Sequence, residues 1–182
     1  MWTIMKAVVL VGVLMGVCVR AQHQGPQVSD PCGDPLMESM LWHAVEGKVI
    51  DVLDGDTVVM KSNGDRLLVE LVGIESPSLN KPFGMRAQLL LERLVKDKDI
   101  SVLVNPSDWG SGWGRPTPKK ILGVVHVEKP IILDVNLELI RAGLARHKNA
   151  QSYKMSDYTE CQYVKAEEKA REAKHGLWAT SR

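Results

Sequence analysis

Carboxylates at the ends of apolar strands are the residues in this chain best placed to do chemistry. Leu53-Asp54-Gly55-Asp56-Thr57-Val58-Val59-Met60 carries two of them at a tight Asp-Gly bend, and Leu71-Val72-Gly73-Ile74-Glu75-Ser76-Pro77 carries a third just before a proline. A short polar link between these pieces would fold their ends together and gather oxygen ligands in the layout of a metal site. Asp54-Gly55-Asp56 alone is more often a turn, so the metal reading rests on its pairing with the Glu75 segment. The histidines at 23, 43, 126, 147 and 175 have no ligand spacing, and zinc is not expected.

The elements that must position these groups are legible from apolar periodicity and turn residues. Alternation from Val45 to Val52 predicts a strand, Thr57 to Lys61 a second, and Arg66 to Ile74 a third, with Asn63-Gly64 as the hairpin turn between the last two. Ala87, Leu90, Leu91, Leu94 and Val95 recur at helical spacing. Ile100, Val102 and Val104 alternate as a fourth strand, 105–120 is a long loop rich in Gly, Pro, Trp and Lys, and Ile121 to Val127 is an apolar fifth strand. Loops of that length inside a domain are usually functional or mobile. Asp134 is expected to cap a helix running to Arg146, and a last helix to run from Asp157 to Gly176 with Glu160 in capping-box spacing. Three strands, a helix, two strands and two helices fit a five-stranded OB-type barrel with three helices, an α+β fold; an unrelated α+β sandwich has the same element count.

Lys6 followed by the apolar run Ala7 to Val19, with Val19 and Ala21 at the positions a signal peptidase reads, predicts a signal peptide over residues 1–21. The run is shorter than the ~20 residues of a spanning helix. Residues 22–42 read as an extended tail and 43–179 as the folded domain. Removing the leader takes Lys6 and Arg20 and no acid, so 23 basic residues become 21 against 22 acidic. A near-neutral chain excludes a broad basic grip on polyanions and leaves any basic surface local. Cys32 and Cys161 remain as an even pair in an oxidising compartment, and a disulfide between tail and last helix is favoured over two unpaired thiols.

The landmarks Asp54-Gly55-Asp56-Thr57, Gly73-Ile74-Glu75-Ser76-Pro77, Pro82-Phe83-Gly84, Gly114-Arg115, Val135-Asn136-Leu137, Ala142-Gly143-Leu144-Ala145 and Gly176-Leu177-Trp178 appear in an order that resembles the staphylococcal nuclease family. The resemblance runs from Lys48 to Trp178. It implies a calcium ion on the carboxylates of Asp56 and Glu75 and the carbonyl of Ser76, with Asp54 behind them, and a phosphate contact from Arg115. It also marks two departures: Glu70 stands where the family usually has an arginine, and Ser78 where it has the glutamate that activates water. A carboxylate at Glu70 would repel phosphate, and a serine is no general base near neutral pH without a partner. Arg66, four residues before Glu70, is about 13 Å away along the strand and a poor replacement.

The leader implies a secreted or periplasmic protein, expected to be a monomer and free of membrane after signal cleavage, and the resemblance implies that it hydrolyses nucleic-acid phosphodiesters weakly with calcium. Water would be activated by Glu75 or by the metal, and Trp113 and Trp109 are available to stack on bases of single-stranded DNA or RNA. The competing reading is a non-catalytic OB-fold module for a protein or oligonucleotide partner. The cluster Arg141, Arg146, His147 and Lys148 is read as a solvated face.

Overall fold

The computed structural model describes residues 30–33, 42–105, 120–128, 132–149 and 155–179. The expected leader and most of the tail lie outside them, as does 106–119 with Trp109, Trp113 and Arg115. Along the chain come β1 (His43–Val52), β2 (Thr57–Ser62), β3 (Asp65–Leu71), β4 (Ile74–Glu75), α1 (Gly84–Val95), β5 (Asp99–Val104), β6 (Lys120–Val127), β7 (Leu133–Asp134), α2 (Val135–Arg141), β8 (Arg146–His147) and α3 (Asp157–Glu172), closed by a 3-10 turn, Gly176–Trp178.

Strand order β3-β2-β1-β5-β6, with β3 and β6 pairing in parallel, closes a five-stranded barrel; β7 extends the β6 edge. This is the OB-type α+β architecture with three helices. The first half of β1 pairs with β5 and the second with β2, and a register shift between Val49 and Asp51 lets one strand bend across both. Asn63 and Gly64 both have positive φ, the geometry a two-residue hairpin between β2 and β3 needs. Inward residues such as Val49, Val58, Met60, Val69, Val102 and Val125 are fully buried, and Leu91 and Val95 of α1 with Leu139 and Ile140 of α2 cover the barrel. Each such side chain contributes about 1.5–3 kcal/mol of burial.

Three expectations are corrected. The third strand stops at Leu71; the chain turns at Val72-Gly73 and resumes as β4, which pairs with β8 through Ile74↔His147 and Glu75↔Arg146. The second helix ends at Arg141, not Arg146, because Gly143 takes φ 66 and lies so close to His175 that a Cβ would sit 2.4 Å from its carbonyl oxygen. Apolar spacing through Leu144 masked that break, which frees Arg146 and His147 to become a strand. The cap of α3 is Ser156, whose Oγ accepts from the Thr159 N–H at 3.1 Å, and Glu160 instead lies 3.0 Å from Nε2 of His147.

Asn136, fully buried, locks α2 to the barrel. Its Oδ1 accepts the Val125 N–H at 3.1 Å and its Nδ2 donates to the Val72 oxygen at 2.9 Å, so it helps hold the turn that launches β4, together with the Val72 N–H on the Gly123 oxygen at 3.0 Å and the Lys148 N–H on the Gly73 oxygen at 2.9 Å. Cys32 and Cys161 form a disulfide with Cα atoms 5.6 Å apart, and Asp30 accepts hydrogen bonds from Tyr158 and Gln162, stapling the N-terminal segment along α3. Among the described residues no helix is long and apolar enough to cross a membrane.

Candidate functional site

The β1–β2 turn is held by its own side chains. Oδ1 of Asp54 accepts the Asp56 N–H at 3.1 Å, and the Leu53 N–H donates to the Thr57 oxygen at 2.9 Å. Gly55 is packed between α1 and the segment after β4, where a Cβ would stand 2.5 Å from Cβ of Ala87 and 2.6 Å from Oγ of Ser76. Any side chain there would push the two walls apart. Gln88 of α1 donates to the oxygens of Val52 and Leu53, fixing the turn from the helix side.

Asp56 joins the two carboxylate segments. Its Oδ2 accepts the Ser76 N–H at 2.7 Å, its Oδ1 accepts from Oγ1 of Thr57 at 3.3 Å, and its carbonyl accepts the Leu71 N–H at 2.8 Å. Burial is the main reason its carboxyl holds a proton more tightly than an ordinary aspartate; the Ser76 amide opposes this and Asp54 adds to it. Such a carboxylate is stabilised by any cation that comes beside it.

Asp54, Asp56, Glu70, Glu75, Ser76 and Ser78 all line one groove of about 510 Å³, together with Leu53, Leu79 and Lys148. Glu70 lies opposite Thr57 in the β2–β3 ladder, next to the aspartates, and is ion-paired with Lys120 at the first position of β6. Glu75 is exposed, with Nζ of Lys148 at 3.6 Å. Arg115 and Trp113 lie outside the described residues, and the Cys32–Cys161 pair is a feature of α3, not of the groove. Among the described residues no three His, Cys, Asp or Glu side chains converge as a ready cage. The donors on offer are Asp56, Glu75, Asp54 behind them and the main chain at Ser76, all hard oxygen, and such a set fits a cation that keeps several waters.

Two lysines were missed by sequence reasoning. Lys120 reaches Glu70 only because β6 runs parallel to β3 with Leu68 opposite Lys120, a long-range register no local pattern reveals. Its signal was the Lys119-Lys120 pair at the end of the long loop. Of the cluster read as a solvated face, Arg141, Arg146 and Lys148 are exposed as expected and His147 is largely buried; Arg141 pairs with Glu138, Arg146 stacks on Trp178, and Lys148 is the member that lines the groove.

Residues 68–180 match the sequence model described as Staphylococcal nuclease homologue. The chain belongs to the staphylococcal nuclease family. It is 28% identical over 131 residues to the probable endonuclease LCL3 of Phaeosphaeria nodorum, covering 68% of this chain and 42% of the fungal protein. It is 29% identical over 136 residues to an uncharacterized endonuclease of Escherichia coli, covering 74% of this chain and 78% of the relative. Micrococcal nuclease of Shigella flexneri is 28% identical over 144 residues, covering 76% of each. The chain thus spans less than half of the fungal relative and about three quarters of the bacterial ones. At the level of the staphylococcal nuclease family the chemistry is nucleic-acid hydrolysis.

Proposed function

We propose that this protein hydrolyses phosphodiesters of single-stranded DNA or RNA in a slow, calcium-assisted reaction at the carboxylate groove. The observation that carries this reading is the hydrogen bond from the Ser76 N–H to Asp56 Oδ2 at 2.7 Å, which draws the two carboxylate segments into one site. Asp56 and Glu75 would hold the ion with their carboxylates and Ser76 with its carbonyl, while Asp54 orients Asp56 through its main-chain amide. The bias of Asp56 against its own charge supports a cation partner. When bound, calcium supplies positive charge at the phosphate and acidifies water.

The remaining work falls to the chain. Glu75, exposed at the mouth, takes the proton of the attacking water. Lys120 neutralises Glu70, so that position no longer repels phosphate with a full charge, and Arg115 and Trp113 are assigned to the phosphate and a base from sequence. Ser78 sits at the lip as an unassisted hydroxyl. Each missing preorganised donor costs about 3 kcal/mol of transition-state stabilisation, so turnover is expected to fall by orders of magnitude.

A second reading, a non-catalytic OB-fold module for an oligonucleotide or protein partner, is favoured by one feature: Glu70 and Glu75 are each already engaged by a lysine. Calcium-dependent cleavage of single-stranded DNA and RNA distinguishes the two, with Asp56→Ala and a Glu70→Arg/Ser78→Glu double variant alongside. Slow cleavage abolished by Asp56→Ala and accelerated in the double variant is the expected result. A silent wild type with an active double variant establishes the non-catalytic module, and cleavage indifferent to Asp56→Ala places the chemistry elsewhere. We further infer that residues 1–21 are a signal peptide and that residues 43–179 act as a secreted or periplasmic monomer. The Cys32–Cys161 disulfide supports this, since such bonds persist in oxidising compartments.

A further inference from the structure

We propose that the outer face at the start of α1 is a nucleobase-stacking subsite built on Phe83, which receives a base of the strand whose phosphate occupies the carboxylate groove; this rests on the hydrolase reading above. Phe83 is the N-cap of α1, yet it makes no side-chain cap and its φ is 68. A non-glycine residue in that left-handed region costs about 1–2 kcal/mol, and glycine or asparagine would hold it at less cost. Retaining an aromatic there points to a use for the ring itself.

The surroundings suit a base on a phosphate backbone. Leu79 is 42% and Met85 65% exposed beside the half-buried ring, and the Arg86 guanidinium lies 5.5 Å from the ring centroid. These residues line a hollow of about 590 Å³ that, among the described residues, carries the cations Lys81 and Arg86 and no acid, whereas the carboxylate groove next to it is acidic. Leu79 and Asn80 line both hollows, so the two adjoin. Aromatic rings with interleaved cations are how single strands are held without sequence readout, the rings taking bases and the cations phosphates. A protein partner would not require positive charge here.

The face is preformed. The Lys81 N–H donates to the Ser78 oxygen at 2.8 Å and the Gly84 N–H to the Lys81 oxygen at 3.1 Å, folding the segment into successive turns. Gly84 lies so close to Ser78 that an added Cβ would stand 2.1 Å from its carbonyl oxygen. The ring is therefore mounted on the backbone of Ser78, itself a groove residue.

The test measures affinity of the full mature chain, in calcium, for a phosphorothioate-linked oligothymidine strand and for an abasic strand of equal length. Phe83→Asn keeps the left-handed backbone and removes the ring, Phe83→Trp restores stacking, and Met85→Ser probes the same face from an exposed position. Loss of one stacked base is worth roughly 5- to 150-fold in affinity. Phe83→Asn should weaken thymidine binding at least about fivefold, leave abasic binding unchanged, and be rescued by Phe83→Trp. Equal affinity of the wild type for the thymidine and abasic strands, or Phe83→Asn matching the wild type on thymidine, overturns the subsite while calcium-dependent cleavage of DNA stands. A wild type that neither binds nor cleaves either strand overturns the subsite and the hydrolase reading together.

Discussion

Replacing Asp134 with asparagine should alter how stability depends on pH in a direction opposite to that of most carboxylates. Asp134 caps α2: its Oδ1 accepts the Leu137 N–H at 2.9 Å, and Tyr163 Oη lies 3.1 and 3.2 Å from its two oxygens. Tyr163 is fully buried, and its ring stands edge-on to His147. Enclosure raises the Asp134 carboxyl from 3.8 to about 6, although the amides of Leu137 and Asn136, the Tyr163 hydroxyl and Arg141 all favour the anion. The folded protein therefore binds this proton more tightly than the unfolded chain does. The resulting stabilisation is full below about pH 4 and is lost as pH rises through about 6. A shift of about 2 pH units corresponds to at most about 3 kcal/mol, of which about 2 kcal/mol is lost between pH 4 and pH 7. Asparagine keeps a capping oxygen and cannot titrate. Urea unfolding of wild type and Asp134→Asn at pH 4, 5, 6 and 7 cancels the contribution of every other group. The variant should gain about 2 kcal/mol relative to wild type across that range, or about 4–8 °C in Tm. A constant difference between the two proteins would refute the argument, and a relative loss would mean that Tyr163 and the helix amides hold Asp134 ionised.

Other consequences are as direct. Lys120→Gln should lower kcat/KM for single-stranded DNA by about 10-fold or more and leave unfolding stability within about 0.5 kcal/mol, because the Lys120–Glu70 pair is solvent-facing; Glu70→Gln should raise kcat/KM. Gly55→Ala should cost about 1–3 kcal/mol in urea unfolding and reduce calcium-dependent activity, since the new methyl would wedge Ser76 away from Ala87. Replacing Cys32 and Cys161 by serine opens a connection between residues 129 apart in sequence and should destabilise the chain by about 4 kcal/mol, read as a lower urea midpoint.

The barrel was legible because its signals are local. Alternating Val and Ile mark the strands, and Asn63-Gly64 fixes the β2–β3 hairpin by backbone preference alone. The carboxylates of the groove were legible for the same reason, as short stretches at strand ends. What local pattern concealed was set by long-range geometry. The helical spacing of Val135, Leu139, Ile140 and Leu144 continues past Gly143, and only the close approach of His175 shows why the helix must stop there. Lys120 and Lys148 reach the groove through the β3–β6 and β4–β8 registers, which join residues about 50 and 70 positions apart in sequence. A sequence pattern places such lysines in solvent, where both are, and does not show which carboxylates they meet.

The β4–β8 pairing, only two residues on each side, also sets when the site can exist. Asp56, Glu75 and Ser76 precede α1, but the strand that pairs with Glu75 follows α2, and one of the amides that hold the Val72 turn belongs to α2 itself. A chain emerging from synthesis would carry both aspartates and the glutamate before the strand that pairs with Glu75 had been made. On the calcium reading proposed above, the ligands would come early and part of their geometry late, so cation affinity would be tied to completion of the fold and not to the presence of the acidic residues.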